Sequence, residues 1–125
     1  MKVLFLEDDI ALNDILSEHL QDKGYEVVSC SNGQEALEYL IDDKFDFALL
    51  DINTPLMSGI DVLKTIRNDY KNNTPAIIIT AYQDTKHLKE SFESGVDDYI
   101  KKPFDLEELD QRILRLCRQF SIEQN

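Results

Sequence analysis

Phe45-Asp46-Phe47-Ala48-Leu49-Leu50-Asp51-Ile52-Asn53-Thr54-Pro55-Leu56-Met57-Ser58-Gly59 is the stretch on which the reading of the fold turns. Phe47 to Leu50 is continuously apolar rather than alternating, as in a strand of a parallel sheet covered by helices on both faces. Asp51 stands where that strand runs out. Ligands of open α/β sheets bind outside the carboxyl ends of the strands, so an acid there is placed for chemistry more than for packing. Pro55 and Gly59 shape the loop and the entry to the next helix. A strand ending in Asp also fits a helix cap or a solvated turn, so the weight of Asp51 depends on what else reaches the same edge.

Upstream, Val3 to Leu6 is a β-rich apolar run that ends in Glu7-Asp8-Asp9. Ile10, Leu12, Ile15, Leu16 and Leu20 then recur at helical spacing until Gly24. Glu26 to Ser29 is a second short strand, and Ser31-Asn32-Gly33 marks a turn. Ala36, Leu37, Leu40 and Ile41 form the stripe of a second helix. Downstream, a helix from about Ser58 turns Ile60, Leu63 and Ile66 inward and ends in the polar run Asn68 to Thr74. Ala76 to Ile79 is a purely apolar strand for the centre of the sheet, and it ends in Thr80-Ala81. A fourth helix, about Thr85 to Ser94, has a thin stripe of Leu88 and Phe92, so it has little to bury and is expected to be loose. Asp98 to Lys101 is a fifth strand before Lys102-Pro103, and the last helix, about Leu106 to Gln119, buries Leu109, Ile113, Leu116 and Phe120.

Strands alternating with helices in this way give the α/β class, a (βα)5 doubly wound parallel sheet with helices on both faces. The flavodoxin-like strand order 2-1-3-4-5 follows from the class and sets strands 1 and 3 side by side at the topological switch point.

A chain of 125 residues fits one domain, here residues 1–120, with 121–125 read as a polar tail or the start of a linker. Its 25 acidic and 13 basic residues give a formal charge of −12, which repels phosphate backbones and anionic membranes, so no direct contact with nucleic acid or membrane is expected. Cys30 and Cys117 stand far apart with no ligand spacing and read as reduced packing residues. His19 and His87 read as ordinary surface residues. The short apolar N-terminal run suits neither a signal peptide nor a membrane span, and a cytoplasmic location is expected.

With strands 1 and 3 adjacent, Glu7, Asp8 and Asp51 converge. Two carboxylates about 5 Å apart repel by roughly 3 kcal/mol at an effective dielectric of about 20, so three together call for a cation. Hard oxygen donors without His or Cys nearby suit Mg²⁺ (or Mn²⁺) better than zinc. Lys102, after the fifth strand, supplies a positive charge and Thr80 a hydroxyl. Taken singly, each residue has a plainer reading: Glu7 and Asp8 as acids favoured at a helix N-terminus, Thr80 as a turn residue, Lys102 as a solvated charge. All four falling at carboxyl ends of strands favours a common site.

At these positions the chain resembles the receiver domains of two-component response regulators over nearly its whole length. The resemblance rests on Glu7-Asp8, the Asp51-xxx-Pro55-xxx-Gly59 loop, Thr80-Ala81, Tyr99 and Lys102-Pro103-Phe104. It implies that Asp51 accepts a phosphoryl group from a sensor histidine kinase and that Asp8 and Asp51 bind Mg²⁺ directly. Glu7 would act through water and Asn53 through its backbone carbonyl. It also implies a cis Lys102-Pro103 peptide, and a switch in which the Thr80 hydroxyl moves to the phosphoryl group and Tyr99 turns inward. That switch alters the surface of the fourth helix, fifth strand and last helix. Without the resemblance, Tyr99 is an ordinary half-buried strand aromatic. Asn53 and Tyr82 would flank the phosphoryl pocket.

Within the family the chain looks most like the receivers of winged-helix (OmpR/PhoB-type) transcriptional regulators. Asp97, Asp98, Glu108, Arg112 and Arg118 then mark a candidate homodimer face on phosphorylation, while Leu88 and Gln119 depart from the usual basic residues. Arg112, Arg115 and Arg118 equally suit the C-terminal dipole of the last helix. Alternatives are a stand-alone receiver acting by protein binding, a pseudo-receiver, and a small Mg²⁺-dependent phosphatase with an aspartyl nucleophile. The usual haloacid-dehalogenase signature puts two aspartates two apart in the nucleophile loop, and here Asn53 follows Asp51. A dinucleotide-binding domain is excluded by acids where Gly-x-Gly-xx-Gly would follow strand 1.

Overall fold

The computed structural model describes residues 1–81, 89, 90, 93 and 95–122. Its strands are β1 (Lys2–Leu6), β2 (Glu26–Cys30), β3 (Phe47–Asp51), β4 (Ala76–Ala81) and β5 (Asp98–Lys102). The complete helices among the described residues are α1 (Ile10–Asp22), α2 (Gly33–Asp42), α3 (Gly59–Asn68) and α4 (Leu106–Gln119). All strands are parallel and ordered β2-β1-β3-β4-β5. The doubly wound sheet is therefore as the patterning predicts, and the switch point between β1 and β3 is as expected from the fold class. Most of the helix expected at 85–94, with Tyr82, His87, Leu88 and Phe92, lies outside the described residues.

Every residue of β3 is buried, which is what a continuous apolar run in a central strand requires. Alternate side chains of the strands feed two cores. On one face Leu4, Leu6, Ala48, Leu50 and Ile78 meet the apolar sides of α2 and α3. On the other, Phe5, Phe47, Leu49, Ile77 and Ile100 meet α1 and α4. Cys30 and Cys117 form no disulfide and are buried, one in each core, as packing residues should be.

Helix starts are fixed by side-chain caps. Asp9, Asn32, Ser58 and Asp105 each accept the backbone N–H of the residue three positions on, satisfying one of the donors a helix N-terminus leaves open. Several expected core positions move outward. Ile10 and Ile15 are 79% and 56% exposed, because the face of α1 against the sheet is the four-residue ladder Leu12, Leu16, Leu20 and the other two fall off its line. Ile41, near the end of α2, is 39% exposed rather than buried. Phe120 lies beyond the last turn of α4 and is exposed, while Cys117 takes its place in the core. His19 is not an ordinary surface residue: its Nε2 lies 2.8 Å from Asp110 Oδ1, tying α1 to α4.

The opposite end of the sheet is held by Arg67. Its guanidinium donates to Gly95 O at 3.2 Å, Asn72 O at 2.9 Å and Asp97 Oδ2 at 3.3 Å. Asp97 Oδ2 also accepts the Ala76 N–H at 2.8 Å, where β4 begins. One planar donor thus joins α3, the loop into β4 and the approach to β5. With its side chain only 13% exposed, removal leaves a shielded carboxylate and two carbonyls short of a partner. Arg67→Ala is expected to lower the unfolding free energy in urea by about 2 to 4 kcal/mol, with Arg67→Lys restoring only part of it. A loss below about 0.5 kcal/mol, the range of a neutral surface change, would show that the network is not holding these loops.

Candidate functional site

The carboxyl ends of β1 and β3 meet as adjacent strands, and three carboxylates meet with them. Glu7 continues β1 by donating its N–H to Cys30 O at 3.0 Å, and the Asn13 amide on α1 donates to Glu7 O at 3.0 Å. The Glu7 side chain is thereby turned in and is fully buried. Asp8 is exposed and Asp51 is 3% exposed, and carboxylate oxygens of Glu7, Asp8 and Asp51 lie within 4.8 Å of one another. Asp9, not Glu7 or Asp8, caps α1, so the plainer reading of that pair as helix-terminal acids does not account for where they sit.

Lys102 arrives from the end of β5. Its Nζ lies 2.8 Å from Glu7 Oε1 and 3.3 Å from Asp51 Oδ2, bridging two of the acids. The Lys102-Pro103 peptide that follows is cis. Three carboxylates face one ammonium, so the cluster stays negative and suits a divalent cation. Its donors are all hard oxygens, and both cysteines lie in the cores, which fits Mg²⁺ rather than a soft metal.

Burial first, and then hydrogen bonding and repulsion from Asp51, raise the pKa of Glu7 above its ordinary value, although Lys102 pulls the other way. For Lys102, burial opposes the charged form, but the hydrogen bond to Glu7 and the charge of Asp51 outweigh it and the pKa rises. The two shifts are compatible because Lys102 is partly exposed and answers to two carboxylates, whereas Glu7 is sealed in beside a like charge.

The loop after Asp51 is held at contact distance. A Cβ on Gly59 would lie 2.3 Å from Asp51 O, and one on Gly33 would lie 2.0 Å from Met57 O. Only glycine lets the starts of α3 and α2 close on this loop. The Asn53 N–H reaches Asp51 Oδ1 at 3.4 Å, and Asn53 itself is exposed. Thr80 is buried at the end of β4, one position beyond the Ile79 that pairs with Asp51, and its hydroxyl faces Ala81 O at 3.4 Å. Tyr99 is half-buried on β5 and packs against the α2/α3 core.

The candidate dimer residues are elsewhere. Asp97 is engaged by Arg67, and Asp98, 9% exposed, receives Arg112 at 3.2 Å and Arg115 at 2.9 Å from its own chain. Of the three arginines of α4, Arg118 is the one in the last turn, where the helix dipole favours it. Glu108 and Arg118 carry the more open side chains of the set. Asn13 and Gly33 are site-building residues that patterning missed. Nothing local marks Asn13, and Gly33 registers only as part of a turn.

An acid cluster with a bridging lysine thus stands at the switch point of a five-stranded doubly wound sheet, and the relatives of the chain define its class. Residues 3–114 match the response regulator receiver domain family. The chain is 45% identical over 122 residues to the transcriptional regulatory protein CrdR of Helicobacter pylori, covering 98% of itself and 57% of that protein. The solved receiver domain of Francisella response regulator 1452 superposes with a TM-score of 0.86 at 32% identity, over 95% of this chain and 98% of that one. The receiver domain of the Pseudomonas aeruginosa sensor histidine kinase PA1611, solved with a magnesium ion coordinated in its active site cleft, superposes with a TM-score of 0.81 at 28% identity, over 94% of each chain. This chain belongs to the response regulator receiver domain family. It spans about half the length of the curated transcriptional regulators it matches.

A raised acid pKa means that the folded state holds the proton more tightly than the unfolded chain, so ionised Glu7 opposes folding and stability falls as pH rises through that window. Glu7→Gln is therefore expected to raise the thermal midpoint in chelator at neutral pH. The gain should vanish below about pH 4, where the native side chain is protonated in both states. An equal shift at both pH values would mean that ionisation of Glu7 is not its source.

Proposed function

We propose that this receiver accepts a phosphoryl group on Asp51 from a sensor histidine kinase and uses it to switch an output, most directly transcription. The observation that carries the reading is the Lys102 ammonium bridging Glu7 and Asp51 inside the three-carboxylate cluster. Glu7, Asp8, Asp51 and the backbone carbonyl of Asn53 would hold Mg²⁺ (or Mn²⁺), in keeping with the magnesium in the cleft of the PA1611 receiver. When bound, the ion neutralises phosphoryl oxygens as a Lewis acid.

The residues of the chain do the rest. The Asp51 carboxylate attacks phosphorus in line; the phosphorus–nitrogen bond of the phosphohistidine breaks and its electron pair stays on the imidazole. Lys102 shifts its bond from Asp51 to the incoming oxygens, meeting their charge while Glu7 keeps the ammonium in place. The acyl phosphate formed is labile and returns to carboxylate and phosphate when water attacks, so the chain promotes its own phosphorylation and dephosphorylation and turns over no external substrate. The buried Thr80 hydroxyl reorients toward the new oxygens, and Tyr99 follows, changing the surface of β5, α4 and the segment before β5. Phosphorylated chains would pair through that surface by its open residues Glu108 and Arg118, since Asp97, Asp98 and Arg112 already have partners in their own chain. Each exposed pair contributes about 0 to 1 kcal/mol, so they set register more than affinity. Residues 1–120 form this unit, which works in the cytoplasm, where the kinase delivers the phosphoryl group.

Intact mass after incubation with acetyl phosphate tests the reading. A single phosphoryl adduct is expected with Mg²⁺, none with chelator, none in Asp51→Asn, and slowing of at least about tenfold in Lys102→Ala. An adduct of equal yield in Asp51→Asn would overturn it.

A further inference from the structure

Among the described residues, the two most exposed large apolar side chains are Ile10 and Leu56, each 79% exposed. Both stand on the edge of the sheet that carries the acids, Ile10 just past Asp8 and Leu56 in the loop after Asp51. Single exposed apolar residues are common on any surface, but these two share an address with the chemistry.

Leu56 has a second, independent peculiarity. Its φ is +70°, while the other non-glycine residues at positive φ among those described, Lys71 and Ser121, are polar. The Met57 N–H donates to Pro55 O at 2.8 Å and closes a γ-turn around Leu56, the strained form when φ is positive. Neighbours impose this shape through the backbone: Pro55 O also accepts the Gly33 N–H at 3.1 Å, and the Thr54 hydroxyl donates to Met57 O at 2.7 Å. None of these contacts uses the Leu56 side chain. Glycine would make the same turn without strain and without exposing an apolar group. Strain that the surroundings over-determine beside a reactive group points to function.

The fold gains nothing from this side chain, so its use lies outside the chain. Asp51 is only 3% exposed, and a phosphoryl group carried on a protein imidazole reaches it only if the carrier covers the rim. A small phosphodonor needs no such cover. We infer that Leu56, with Ile10 on the same edge, is an apolar anchor that packs beside the phosphohistidine of a protein phosphodonor and selects that donor over small ones. The inference rests on the phosphoacceptor reading above. Because the turn fixes Leu56 before docking, little ordering entropy is lost on contact.

Leu56→Gly, Leu56→Asn and Leu56→Met are compared with wild type in two assays. One is phosphorylation by acetyl phosphate; the other is transfer from autophosphorylated kinase cores of the source genome, using the core that transfers fastest to wild type. Glycine and asparagine tolerate positive φ, and an unlowered thermal midpoint verifies that the loop is intact. Rates with acetyl phosphate should stay within about twofold, while transfer from the kinase below saturation should fall about tenfold in the Gly and Asn variants, as for loss of one buried apolar side chain, and be largely kept in Met. Unchanged kinase transfer in Gly and Asn overturns the anchor and leaves the phosphoacceptor reading standing. An equal fall with both donors also overturns it, since Leu56 would then be shaping the site itself. A wild type that accepts from acetyl phosphate but from no kinase removes the anchor alone, and one that accepts from neither removes both.

Discussion

Crowding of negative charge at one edge of the sheet is the constraint on which the rest of this structure depends. Glu7 is buried beside Asp51, Asp8 lies within reach of both, and a single ammonium answers them. Left alone, such an arrangement opposes folding, as the raised pKa of Glu7 records. On the function proposed above, a divalent cation would offset that crowding and let an anionic phosphoryl group approach Asp51. On that reading, the local instability of the acid cluster and its readiness for a cation have the same physical origin.

Holding that arrangement takes a rigid frame, and the frame is built from the two cores and a few close approaches. β3 is buried along its whole length, so Asp51 has no freedom to shift. Gly59 lets α3 start against the Asp51 carbonyl, and Gly33 lets α2 press on Met57. At the far end of the strands, Arg67 performs the equivalent task without chemistry, tying loops so that β4 and β5 present Thr80 and Lys102 at a fixed height.

Much of this was legible in the sequence because burial on both faces leaves a continuous apolar signature. Val3 to Leu6, Phe47 to Leu50 and Ala76 to Ile79 could be placed as strands, and the acids at the ends of the first two pointed to the site. The bounds of α4 agree with the apolar spacing of Leu109, Ile113 and Leu116, although Phe120, which continues that spacing, lies beyond the helix. What periodicity could not supply was the choice among competing apolar faces. Ile10, Ile15 and Ile41 satisfy helical spacing yet lie off the line that faces the sheet, because which stripe is buried is decided by the partner surface. Contacts between residues remote in sequence were equally silent: His19 with Asp110 and Arg67 with Asp97. The convergence of Glu7, Asp51 and Lys102 was readable only through the strand order, which came from the fold class and not from any residue.

The most direct measurement is chemical location of the phosphoryl group. The phosphorylated protein is treated with borohydride, which reduces an aspartyl phosphate to homoserine, and the digest is read by peptide mass spectrometry. Homoserine at position 51 and at no other acid is the result this account predicts. Homoserine at Asp8 or at another carboxylate, or a phosphoryl adduct that borohydride leaves untouched, would contradict it.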